Sequence, residues 1–167
     1  LRVKLFNEAT NEREEWFYAG GLGGYLSDQL AQRPFLPEEP FSGSIKGGSE
    51  VADWAVVWVP DTEPGVGESY VNLIPTAEGG THVNGLRAGL TDAVRDFCEF
   101  RNLLPRGVRL APEDVWDGAS YVLSIKIREP QFAGQTKERL ASRDAAQLVE
   151  GYVKDALGLW LAQHPDA

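Results

Sequence analysis

Residues 51–59 read Val-Ala-Asp-Trp-Ala-Val-Val-Trp-Val, and a strand drawn through them is apolar on both faces. Strand side chains alternate, so Trp54, Val56 and Trp58 share one face while Ala55, Val57 and Val59 share the other. A strand of this kind needs cover on both sides, which predicts a central place in a sheet. Pro60 ends it, and the Gly, Pro and acidic residues of 61–67 predict a loop at a hairpin end.

Other segments supply the rest of an α+β chain. Residues 12–18 read as a strand through their aromatic end. After the turn at Gly20-Gly21, Leu22, Tyr25, Leu26 and Leu30 fall on one side of a short helix. The three Pro and several Gly of 34–48 predict an irregular crossing or a β-edge. Residues 69–75 predict one more strand. In 119–128 the alternation is regular: Tyr121, Leu123, Ile125 and Ile127 on one face, with Ser120, Val122, Ser124, Lys126 and Arg128 opposite, as in a half-buried strand.

Two long amphipathic helices are predicted. The first runs from Thr81, a plausible N-cap, to about Asn102, with Val83, Leu86, Leu90, Val94, Phe97 and Arg101 in a stripe. Pro105 and Gly107 stop it. The second starts near Ser142, also an N-cap candidate, and carries Leu148, Val149, Tyr152, Val153, Ala156, Leu159 and Trp160. At about twenty residues it would reach about 30 Å, long enough for a strut. Between them, 112–116 predicts a short helix with Pro and acids in its first turn.

Composition narrows the function classes. With 43% hydrophobic residues and five Trp, the 167 residues can bury a core of single-domain size. No apolar run approaches the roughly eighteen residues of a membrane span, and no signal-peptide pattern opens the chain. Cys98 is the one cysteine, so an internal disulfide is impossible and a reducing compartment fits. Its apolar neighbours Val94 and Phe97 predict a buried, inert thiol. The net charge of -9 and pI near 4.7 argue against a generic nucleic-acid binder. The densest basic stretch, Arg95, Arg101, Arg106 and Arg109, is diluted by Asp92, Asp96 and Glu99. The chain starts at Leu1 and contains no Met, so it is expected to be one domain, 1–167, of a longer protein.

The residues with chemical potential are few. Pro130 and Gly134 break regular pairing in 129–140, so that loop can project. Its tip offers the Gln135 amide, the Thr136 hydroxyl and the Lys137 ammonium, groups that suit an anion and a phosphate above all. The loop lacks a Walker glycine pattern, so spacing by itself favours a solvated polar loop. His82 could serve as a general base, but no nucleophile with a partner acid accompanies it, which favours a structural, hydrogen-bonded histidine. Two His and one Cys form no metal cluster.

Longer motifs carry a family resemblance. The run Tyr70-Val71-Asn72-Leu73-Ile74-Pro75-Thr76, then Gly79-Gly80-Thr81-His82-Val83-Asn84-Gly85-Leu86-Arg87, the turn Pro130-Gln131-Phe132 and above all Gly134-Gln135-Thr136-Lys137-Glu138-Arg139-Leu140 resemble the transducer domain of type IIA DNA topoisomerase ATPase subunits. The segments 100–108 and 113–117 look more like the topoisomerase IV branch than the gyrase branch. Glu129 stands where the family often has Asp. The resemblance implies a two-layer α/β sandwich of the type first named for the second domain of ribosomal small-subunit protein five. Its mixed sheet would have a left-handed βαβ crossover and be followed by a long C-terminal helix. It implies Gln135 and Lys137 as contacts to the γ-phosphate of ATP, Lys137 as the catalytic one, with ATP and Mg2+ held mainly by an ATPase domain upstream. The implied partners are that ATPase domain, a second copy of the same chain in a dimeric gate, the DNA-cleaving subunit of the heterotetramer, and duplex DNA, in the bacterial cytoplasm. On this reading the fragment alone is inactive. The alternative is a non-enzymatic interaction module sharing the fold.

Overall fold

The computed structural model describes residues 2–31, 33–60 and 65–165. The elements run β1 (Arg2–Asn7), β2 (Glu12–Phe17), α1 (Gly21–Gln29), β3 (Leu36–Gly47), β4 (Glu50–Trp58), β5 (Gly67–Val71), β6 (Ile74–Pro75), α2 (Thr81–Phe100), α3 (Pro112–Trp116), β7 (Ala119–Lys126) and α4 (Arg143–Gln163). A five-stranded mixed sheet has the order β3-β4-β7-β5-β6. Every neighbouring pair in it is antiparallel except β5 and β7, which are parallel and joined through α2 in a βαβ crossover.

The two-sided strand is interior, as its sequence requires. On one face Trp54 and Val56 of β4 and Leu123 and Ile125 of β7 pack against Leu86 and Leu90 of α2 and Val149, Val153 and Leu157 of α4. On the other, Ala55, Val57, Val59 and Val122 pack against Leu26 of α1 and Leu30 at its C-cap. The short helix α1 thus covers part of the second face of the α/β sandwich. With that cover β7 is better buried than half: Ser120 and Val122 are 0% and 1% exposed.

Helices α2 and α4 lie side by side and run in the same direction. A Cβ placed on Gly85 would fall 2.3 Å from the Ala146 carbonyl oxygen, and one on Gly89 2.7 Å from that of Glu150. The buried face of α2 is therefore His82, Gly85, Leu86, Gly89, Leu90, Thr91 and Ala93. Of the predicted stripe, Leu86 and Leu90 are fully buried, Val83, Val94 and Phe97 are half-buried, and Arg101 lies beyond the helix. Glycines carry no hydrophobicity signal, yet here they are the contact surface, because they let two backbones approach.

Several local expectations are corrected. Residues 69–75 are not one strand. Asn72 and Leu73 take φ of 50° and 69°, a two-residue turn with both central residues left-handed, and β6 folds back on β5. Leu is a poor turn residue, so the turn left little trace in the sequence; the Asn72 side chain secures it by pairing both ways with the Ile127 backbone at 3.0 Å. Within 34–48, Leu36–Gly47 forms the edge strand β3. A strand missing from the sequence reading, β1, pairs with β2 in a separate hairpin with both strands exposed. Cys98 is half-buried, not buried, and lines a cavity of about 640 Å³ with Arg95 and Arg109. Part of the predicted 61–67 loop, residues 61–64, lies outside the described residues. No helix among the described residues is long and apolar enough to cross a membrane.

Candidate functional site

The loop after β7 is a tip carried on a small three-ribbon base. Residues 138–142 form the middle ribbon. On one side Ala133 donates its N–H to the Arg139 carbonyl at 2.9 Å, and Ala141 to that of Gln131 at 2.8 Å. On the other side Glu78 donates to the Glu138 carbonyl at 2.9 Å, Leu140 to that of Gly79 at 3.0 Å and Thr81 to that of Leu140 at 3.1 Å. Leu140 is 1% exposed and belongs to the main core, so the base is anchored by burial as well as by backbone pairing.

From this base residues 134–137 project. Gly134 has φ of 97° and Lys137 φ of 58°, and the second is a left-handed conformation that a lysine adopts only when its surroundings impose it. Gln135, Thr136 and Lys137 are all exposed. Thr136 donates to a Glu138 carboxylate oxygen at 3.0 Å. The side chains of Gln135 and Lys137 have no hydrogen-bond or ion-pair partner among the described residues. Together with Phe132 and Gly134 they line an open recess of about 440 Å³. An unpaired ammonium and an unpaired amide facing one recess can bind an anionic oxygen cluster at low cost, because no existing contact has to break.

The glycine pair explains how the base closes. Gly80 has φ of 136°, and a Cβ there would sit 2.3 Å from the Leu140 oxygen and 2.5 Å from its nitrogen. Only glycine lets the two backbones meet. Gly80 also occupies the N-cap of α2, with no side-chain capping bond. Thr81 is thus the first helical residue and not the cap; its hydroxyl donates at 2.6 Å to the Ser142 carbonyl. Ser142 holds the N-cap position of α4 but makes no capping bond; its Oγ accepts the Gln131 N–H at 2.8 Å. In both cases a partner on a neighbouring ribbon of the base has taken the hydroxyl that local geometry would give to a helix end. Leu140, Gly80 and Thr81 escaped the sequence reading as site supports. The available signal was Leu140, an apolar residue closing the polar run 135–139.

His82 is the second residue of α2 and is 0% exposed. Its Nε2 is 3.1 Å from Thr76 Oγ1, and that hydroxyl donates to the Ser69 carbonyl at 2.9 Å. Nδ1 is buried and has no hydrogen-bond partner among the described residues. Burial pushes its pKa down to about 4, so the ring is neutral at physiological pH. A sealed, neutral imidazole bonded to a structural threonine cannot reach a substrate. In the basic stretch, Arg95 is spent on Asp92 at 3.2 Å and the Leu110 carbonyl at 3.0 Å. No cluster of three or more metal-ligating side chains exists among the described residues.

The chain as a whole is similar to known proteins. The family profile of DNA gyrase B matches residues 21–167. The B subunit of DNA topoisomerase 4 from Pseudomonas aeruginosa is 60% identical over 166 residues, covering 99% of this chain and 26% of the relative. The protein of the same name in Escherichia coli K12 is 56% identical over 167 residues, again across 26% of its length. A solved structure of the topoisomerase IV ATP-binding domain of Francisella tularensis, in complex with a small-molecule inhibitor, superposes with a TM-score of 0.87 at 39% identity, covering 99% of this chain and 44% of that one. The chain thus spans about a quarter of the length of the curated relatives it matches.

Proposed function

The chain belongs to the DNA gyrase B family, and from that premise we propose that it is the transducer domain of an ATP-driven type IIA DNA topoisomerase of the topoisomerase IV kind. The observation that carries the reading is the exposed tip. Gln135 and Lys137 stand unpaired at the edge of one recess, on a base anchored in the core. Such a tip suits a phosphate presented by another domain. Mg-ATP is held mainly by residues outside this chain, and supplies the transferable phosphoryl group.

Within this chain the division of labour follows from the side chains. Lys137 brings a point charge to the terminal phosphate and offsets the charge that develops on it in the transition state. Gln135 donates a hydrogen bond that orients the same group. Thr136 is scaffolding, tied to Glu138. Because the γ-phosphate is present before hydrolysis and absent after it, its contact with the tip biases two arrangements of the domains. Helix α4, with 21 residues, carries the change away from the loop towards the DNA-cleaving subunit. Two copies of the chain would close as a gate around duplex DNA, in the bacterial cytoplasm.

The test is made in the full-length protein. Lys137→Ala is expected to lower kcat for ATP hydrolysis by about a hundred-fold or more, and strand passage with it, while the unfolding midpoint stays put because the ammonium bonds to no other described residue. Gln135→Ala should lower the rate less. An unchanged rate in Lys137→Ala would remove the tip from the nucleotide site.

A further inference from the structure

We propose that Thr81 is a positioning residue for Lys137, acting through the backbone clasp it forms with Gly80 and Leu140; the proposal rests on reading Lys137 as a phosphate contact. Gly79 accepts the Leu140 N–H at 3.0 Å, and Thr81 donates its own N–H to the Leu140 carbonyl at 3.1 Å. Gly80 lies against the same residue, with no room for a Cβ. The Thr81 hydroxyl then reaches two residues further, to the Ser142 carbonyl at 2.6 Å. One residue thereby grips the middle ribbon by its backbone and by its side chain.

The position of that grip gives it its effect. Thr81 is the first residue of α2 and Ser142 the residue before α4. The middle ribbon, 138–142, leads from the tip straight into α4. Without the hydroxyl bond, the ribbon's pairing to the α2 side ends at Leu140, and the two helix starts lose their direct link. Lys137 sits one residue before the ribbon in a left-handed conformation with φ of 58°. That conformation depends on the base being held, since nothing bonds the Lys137 side chain itself among the described residues. Looser anchoring lets the ammonium wander from the phosphate, and about 1 Å of misplacement can cost on the order of a hundred-fold in rate. The second half of the grip is mechanical: displacement of the tip is delivered to α2 and α4 together.

The experiment is a double-mutant cycle on ATP hydrolysis in the full-length protein, with Thr81→Val, Lys137→Ala and the pair. Thr81→Val keeps the shape and removes the donor; Thr81→Ala, which removes it without adding a methyl group at the same place, is read alongside in case valine does not fold. Expected is a fall in kcat of about ten-fold with KM for ATP within about two-fold. Thr81→Ser should restore the rate, and the Thr81 substitution should cause no further loss once Lys137 is alanine. A normal rate in the folded Thr81 variants, beside a slow Lys137→Ala, overturns the clasp and leaves the phosphate contact standing. Equal losses from the Thr81 change with and without Lys137 also overturn it, because Thr81 would then act elsewhere. A normal rate in Lys137→Ala removes the phosphate contact itself, and the clasp falls with it.

Discussion

Of the single residues, His82 has the most definite physical consequence outside the loop. The imidazole is fully buried and its pKa is pushed down to about 4, whereas a histidine in an unfolded chain titrates near 6.5. The unfolded state therefore takes up this proton at a higher pH than the folded state. The stabilisation is fully present above about pH 6.5 and is lost as the pH falls towards about 4, an amount of roughly 3 kcal/mol. Urea unfolding of the wild-type chain should give a midpoint that drops across this window, and His82→Gln, which keeps a hydrogen-bonding group for Thr76, should flatten the drop. An unaltered pH dependence in His82→Gln would assign the acid sensitivity to carboxylates instead. The residue types in the loop were legible because amide, hydroxyl and ammonium at a glycine break already suggest an anion. That Thr81 and Ser142 bond to neighbouring ribbons of the base and not at their own helix ends was not legible, since a hydroxyl's partner depends on what folding brings near it.

Among the elements, the parallel pair α2 and α4 rests on glycine contacts, and identical substitutions on it should have opposite signs. Gly85→Ala would place a methyl group 2.3 Å from the Ala146 oxygen. That neighbour is backbone, so α4 has to shift, and a loss of about 1–3 kcal/mol is expected. Gly151 on α4 has nothing near its added Cβ; alanine there should stabilise by up to about 1 kcal/mol through helix propensity. Urea midpoints of the two variants check both signs, and a stabilised Gly85→Ala would mean that the helices stand further apart. Strand β4, the start of α1 and the short α3 followed from periodicity and breakers. The β5–β6 turn did not, because Leu73 is not a residue that turns favour, and β1 was missed because its alternation, Arg2-Val3-Lys4-Leu5, is only four residues long and breaks at Phe6.

For the whole molecule, one prediction follows from the division of the site. On the proposed reading this chain contributes a lysine and an amide to a nucleotide site that is completed outside it, and no cluster of metal-ligating side chains exists among the described residues. The 167-residue chain alone should release no phosphate from ATP above buffer, measured by a coupled phosphate assay; turnover by it would sink the transducer reading. The sequence by itself determined the class of architecture and the position of the exposed tip. Both depend on short-range periods: alternation at two, stripes at three and four, and a glycine or proline where a run must break. Only the tertiary structure decided what holds the tip. The pairing of Gly79 and Thr81 with Leu140 joins segments some sixty residues apart, and backbone hydrogen bonds are available to nearly every residue type. No side-chain pattern marks which backbones will meet, so that choice was made by the packing of Leu140 into the core and of α2 against α4.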